Sequence, residues 1–245
     1  MAVGWPRSGR THAEGTITAG STTAYRRNPA RSTGKPQVSG PHRLGRDAYF
    51  TAAFALLGAE GPEALTIAAL CKRLRVTKGS FYHHFSGMPQ FTEALLRHWE
   101  DEHAAILDEV AGLSDPVRRF EITAERVHEL PHDAEAALRA WGYRDRAVGA
   151  AVARIDRARV QNYANTLALV IDDQERCRLL AHMGIAVVIG LQMCERPVDL
   201  ERFVRVGLEW AHTNIGLTMA AEPDGAGGLK VRVTGLPNGR PLRNS

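Results

Sequence analysis

Cysteine is scarce in this chain. Cys71, Cys177 and Cys194 are the only three, too few and too scattered for a disulfide framework or the paired CxxC ligands of a zinc module. All three fall in stretches that otherwise read as apolar helix, so they are expected to be buried thiols of a reducing cytoplasm. Long hydrophobic runs are also wanting. None approaches the roughly 18 residues of a membrane span, and the N-terminus has no apolar signal core. The expectation is a soluble, cytoplasmic protein with no membrane partner. Strand-like alternation is absent before Lys230–Thr234, and that run is too short and isolated to define a sheet.

The familiar motifs of catalysis are missing too. There is no Gly-rich phosphate loop, no G-x-S-x-G turn and no HExxH, and the ten histidines are dispersed. His98 and His103 stand five apart and share a helical face poorly, which argues against a metal site there. Neither an enzyme nor a cofactor or metal is expected.

What is present is a hydrophobic fraction of 44% over 245 residues, enough for a substantial core. The net charge is only +4, yet it is unevenly placed: residues 1–46 carry eight Arg or Lys against the single Glu14, whereas residues 87–219 carry fifteen against twenty-one acids. A basic leading end on an acidic body suits a chain whose head meets a polyanion, and solvated tails show the same bias. Four segments follow from composition and periodicity. Residues 1–43, rich in Gly, Ser, Thr, Pro and Arg, read as a disordered basic arm. Residues 44–87 form a small head that extends into a long helix over 88–111. Residues 88–219 form a helical body, and 220–245 a flexible tail. The fold class is all-α, with helices expected near 46–59, 88–111, 116–129, 133–144, 146–170, 174–194 and 199–217.

The head holds the most informative pattern. Thr66 precedes Ile67, Leu70, Cys71 and Leu74; after Arg75-Val76, Thr77 precedes Phe81 and Phe85. Threonine is a favoured N-cap, so two short helices joined by about three residues are expected. The apolar residues of the second helix turn inward. Lys78, Gly79, Ser80, Tyr82 and His83 remain outside, and these are residue types that DNA recognition uses: a cation, hydroxyls, and a glycine that permits close approach. Polarity and period alone fit an ordinary helical hairpin with a solvated face equally well.

The run Leu65-Thr-Ile-Ala-Ala-Leu-Cys-Lys-Arg-Leu-Arg-Val-Thr-Lys-Gly-Ser-Phe-Tyr-His-His-Phe85 closely resembles the DNA-binding signature of the tetracycline-repressor (TetR) family, over about residues 44–103. The resemblance implies an all-helical homodimer: a three-helix DNA-binding head with helix-turn-helix, and a larger body that dimerises and binds a small-molecule effector. Carried over by position, Thr66 and Tyr82 contact phosphate, Thr77 caps the recognition helix and touches the backbone, and Lys78, Gly79, Ser80 and His83 face bases or nearby phosphates of a double-stranded, palindromic operator. Phe81 and Phe85 hold the head together, and His84 packs or bonds the backbone instead of contacting a base. Two departures stand out. Arg75 takes the place of the usual turn glycine, and Met88 replaces a lysine that often opens the fourth helix. Arg75 or the arginines before residue 47 are then candidates for substitute phosphate contacts. A repressor released by its effector, an activator and a ligand-independent regulator all fit this resemblance. A helical interaction protein without DNA binding leaves the outward polar set unexplained.

In the body, Met183–Leu191 is apolar at all nine positions, counting the glycines, and reads as a helix buried on nearly all sides. Ala186 and Gly190 share a face suited to close helix approach. With Phe203 and Gly207 on the next helix they make a candidate two-fold interface, for which most of the support is the resemblance. Pocket candidates are the aromatic or polar residues Trp99, His103, Phe120, Trp141, Tyr163 and Met183. Trp141, Tyr143, Arg144 and Asp145 cluster; Arg144 or Arg146 pairs with an acidic effector or braces a helix junction.

Overall fold

The computed structural model describes residues 44–194, 197–225 and 228–237; the arm expected over 1–43 and the chain beyond Pro237 lie outside the described residues. Nine α-helices follow one another among these residues. They are α1 (Arg46–Glu60), α2 (Ile67–Leu74), α3 (Lys78–His84), α4 (Met88–Ala111), α5 (Pro116–His128), α6 (His132–Gly142), α7 (Arg146–Leu167), α8 (Gln174–Cys194) and α9 (Leu200–Ile215). Each helix read from periodicity is present, with α7 ending at Leu167 instead of 170.

Aspartates set several of the breaks. Asp115, Asp145 and Asp199 each stand in extended backbone and accept a hydrogen bond from a first-turn amide of α5, α7 and α9. Asp173 does the same for Glu175 and Arg176 at the start of α8. Such caps contribute about 1 kcal/mol each. At the α6–α7 elbow a Cβ on Gly149 would stand 2.7 Å from the Gly142 carbonyl oxygen, so only glycine allows that approach.

The core continues past the head. Phe50, Phe81, Phe85 and Phe91 pack with Ala137 and Leu138 of α6 and Val148 and Ile155 of α7. A second cluster joins Phe120, Leu167, Leu180, Ala211 and Leu217. One helix, α4, runs from the first cluster towards the second.

Four sequence-based expectations need correcting. Residues 218–235 are no flexible tail but an antiparallel hairpin, β1 (Thr218–Pro223) and β2 (Leu229–Gly235). One edge of it is completed by α5: Glu125 and Glu121, one turn apart, accept the amides of Val231 and Val233 at 3.1 and 3.0 Å. Two residues of strand and four of helix span nearly the same length, so the edge is satisfied by side chains that local pattern reading does not pair. Second, α8 is by length and composition apolar enough to cross a membrane, with mean hydropathy 1.6 over an 18-residue window. It packs against α7 and α9 and buries Gln192 completely. Third, Met183–Leu191 is not enclosed within one chain; Met183 and Ala186 are exposed and only Gly184 is buried, because α6, α7 and α9 leave one side of α8 open. Fourth, Cys194 is exposed near the end of α8, unlike Cys71 and Cys177.

Candidate nucleic-acid interface and body cavity

Thr66 and Thr77 hold the two N-cap positions of the helix pair, and they behave differently. Thr66 Oγ1 accepts the Ala69 amide at 3.1 Å. Thr77 makes no side-chain cap bond, so its expected capping role is corrected; its exposed hydroxyl stays free at the start of α3. Between the helices Arg75 adopts φ 55 and ψ 43, the left-handed conformation that a glycine would take without strain. It is the single non-glycine residue with positive φ among the described residues. Its amide closes α2 on the carbonyls of Cys71 and Lys72.

Phe81 and Phe85 are buried, and Phe85 meets Phe91 edge-on at 4.9 Å. That fixes the opposite face of α3 outward, where Lys78, Gly79, Tyr82 and His83 are exposed, Tyr82 by 55%. A Cβ placed on Gly79 would meet only Thr77 Oγ1, at 3.6 Å, so no packing inside the chain demands a glycine there. Ser80 is placed differently from its expected role. It is half-buried, and its Oγ accepts a hydrogen bond from the Tyr49 hydroxyl at 2.9 Å. His84 is also half-buried, with its ring 5.6 Å from that of Tyr49. Met88 packs against the head core.

Positive charge gathers on the two short helices of the head. Lys72, Arg73, Arg75 and Lys78 are exposed, and among the described residues none has a carboxylate within salt-bridge distance. Arg46, near the same surface, lies 4.8 Å over the Phe85 ring. In the body, Arg126, Arg139, Arg144, Arg154 and Arg159 are paired with carboxylates, while exposed Arg146, Arg157, Arg176, Arg178 and Arg205 have no carboxylate within salt-bridge distance among the described residues. The suggested effector partner Arg144 bonds Glu63 at 2.6 Å and Asp145 caps α7, so this cluster braces a helix junction.

A cavity of about 180 Å³ lies among α4, α5, α7, α8, α9 and the hairpin. Of the pocket candidates, His103, Phe120 and Tyr163 line it. Trp99, Trp141 and Met183 do not, and those three assignments are corrected. Trp99 and Trp141 pack on the first core cluster, and Met183 lies on the open side of α8. One interface assignment also changes. Phe203 is buried with its ring 4.3 Å from His132, whereas Gly207 is exposed at the rim of the cavity, with nothing within 4 Å of a Cβ placed on it. Ala186 is exposed, and nothing stands within 4 Å of a Cβ on Gly190.

Beside the cavity sits a buried polar network that periodicity did not reveal. Arg159 donates to both Glu135 oxygens, His103 Nε2 lies 3.0 Å from Glu135 Oε1, and Gln192 donates to Glu135 Oε2 at 3.0 Å. His103 Nδ1 faces the Trp99 carbonyl at 2.7 Å and therefore carries a hydrogen. Burial alone would raise the Glu135 pKa, but Arg159 and His103 hold it well below the usual carboxylate range. Arg139 and Asp156 form a second, bidentate pair alongside. Burial also lowers His132 to about 4, so it stays neutral against Gln192. The one sequence signal was Glu135 inside the apolar run Ala134–Leu138.

Residues 50–95 match the family model for bacterial regulatory proteins of the tetR family. Solved structures share the fold over most of the described chain. A TetR transcriptional regulator from Legionella pneumophila superposes with a TM-score of 0.58 at 15% identity, covering 70% of this chain and 95% of its own. A TetR-family transcriptional regulator from Streptomyces coelicolor gives 0.57 at 19%, covering 68% and 92%. A protein from Saccharomonospora viridis, solved in complex with choline, gives 0.54 at 16%, covering 69% and 96%. At such identities the structural likeness is one of fold. No curated protein matches the chain.

Proposed function

We propose that this chain, whose head matches the tetR family of bacterial regulatory proteins and whose helical fold its members share, is a homodimeric transcriptional repressor that grips a palindromic duplex through α2 and α3 and is released when a small effector enters the body cavity. The observation that carries the DNA reading is what one short helix pair leaves outside: the exposed cations Lys72, Arg73, Arg75 and Lys78, without carboxylate partners among the described residues, together with exposed Thr77, Tyr82 and His83. Unpaired cations beside exposed hydroxyl and imidazole groups suit phosphate and base edges. In this reading Thr66, Arg75, Thr77 and Tyr82 hold the backbone, and Lys78, Gly79 and His83 face the groove. Ser80 acts by positioning α3.

The partner in the dimer is a second copy. Leu179, Met183, Ala186, Gly190 and Met193 stand four, three, four and three residues apart along the open side of α8, with Leu179 61% and Met193 47% exposed. That spacing is the seam of a helix that pairs with another, and Gly190 lets the backbones approach. An all-apolar stripe of this length on a free monomer would promote association.

Selection of duplexes from a random pool with the purified chain tests the reading. A palindromic consensus supports it, and enrichment of no sequence overturns it. Lys78→Ala and Tyr82→Ala are each expected to weaken binding about tenfold or more while circular dichroism and sedimentation stay unchanged; unaltered affinity would remove α3 as the reading element.

A further inference from the structure

We infer that the body cavity takes a neutral, mostly apolar molecule the size of one substituted ring, with a hydroxyl, carbonyl or amide that pairs with Thr123, His128 and Trp210. This rests on the effector reading above and gives it a chemical class. Size comes first. The cavity of about 180 Å³ is slightly larger than an engineered cavity of about 150 Å³ that accepts benzene. Its walls are aliphatic and aromatic, with Ile106, Val110, Phe120, Val188, Leu191 and Leu208 among them.

The polar handles are specific. Thr123 Oγ1, His128 Nδ1 and Trp210 Nε1 are buried without a hydrogen-bond partner among the described residues, and all three side chains belong to the cavity lining. Buried polar atoms are seldom left unpaired in folded proteins, so three along one cavity point to a guest that supplies the missing partner. Between them they offer an indole donor and two groups able to donate or accept.

Charge sets the remaining limit. Both terminal nitrogens of Arg159 are engaged by Glu135, and Arg126 is held by Glu109 and Glu129. An anionic guest would have to draw Arg159 away and strand a fully buried carboxylate, which is strongly unfavourable. A cationic guest would face two guanidiniums and no free carboxylate in the lining. The way in lies beside the hairpin. An open groove between α9 and the two strands shares His128, Val204, Leu208, Met219 and Leu229 with the cavity, so Met219 and Leu229 form part of the partition that a guest passes.

The test is calorimetric titration of the full chain with phenol, benzoate and choline, read in parallel by tryptophan emission. Phenol is expected to bind saturably with one site per chain, and benzoate and choline at least tenfold more weakly. Thr123→Val keeps the shape of the side chain while removing an oxygen that has no partner in the free protein. It should leave Tm unchanged or raised while weakening phenol about two- to tenfold, the worth of one hydrogen bond. Tighter binding of benzoate or choline than of phenol, or wild-type phenol affinity in Thr123→Val, overturns the inference. If none of the three probes binds while duplex binding is intact, the cavity is no ligand site and both this inference and effector release fall. Phenol binding as expected with no change in duplex affinity supports the chemistry of the cavity and removes its regulatory role.

Discussion

The Tyr49 hydroxyl donates to Ser80 Oγ across 2.9 Å, tying the first helix of the head to the exposed helix α3. Tyr49 is fully buried and also meets Phe81 and Phe85 edge-on. The side chain that orients α3 therefore lies outside the helix-turn-helix. Tyr49→Phe keeps those ring contacts and removes only the bond. Its expected cost is about 1 kcal/mol, a fall in Tm of about 2–4 °C. Duplex affinity should fall less than in Lys78→Ala; an equal or larger loss would mean that the bond itself is part of the reading surface.

Arg75 is a compromise between chain geometry and charge. A side chain at φ 55 costs about 1–2 kcal/mol relative to glycine's ease in that conformation, and the exposed guanidinium stands where a phosphate contact is useful. Arg75→Gly is expected to raise Tm by a few degrees and to weaken duplex binding, with the slope of log affinity against log salt reduced by about 1. A stabilised variant that binds with an unchanged slope would exclude Arg75 from the phosphate contacts.

Glu102 gives the head–body joint a pH response. Burial pushes its carboxyl up to about 7; one oxygen lies 3.3 Å from His98 Nε2, and the other has no partner among the described residues. Burial likewise lowers the pKa of His98, which stacks on Phe50 at 4.6 Å, although Asp47 and Asp101 oppose this. Because the folded pKa of Glu102 exceeds its unfolded value of 4.5, the native state binds its proton more tightly. Its contribution is fully present below about 4.5 and is lost as pH rises to about 7. Glu102→Gln should therefore raise Tm more at pH 8 than at pH 5, measured by scanning calorimetry in matched salt. Equal shifts at both values would show that the carboxyl titrates normally.

The hairpin depends on two glutamates of another element. Glu125→Ala leaves the amide of the buried Val231 without its acceptor, at an expected cost of about 1–3 kcal/mol. Hydrogen exchange should accelerate at Val231 and its strand neighbours before the helices change. Protection that stays as in the parent protein would mean that the two strands hold without α5.

The order and extent of the helices were written in the sequence, because aspartate caps, glycine breaks and 3.6-residue periodicity act within a few positions of one another. The same local chemistry put Lys78, Gly79, Tyr82 and His83 outside, since burying Phe81 and Phe85 leaves a short helix only one other face. Tertiary structure decided what depends on distant partners. Ser80 was turned to Tyr49, Arg159 was enclosed with Glu135, β2 was completed by Glu121 and Glu125, and Phe203 went to the inside of the body rather than to its surface. In each case the groups that meet are 24 or more residues apart, and periodicity tells which side of a helix is buried, never against what.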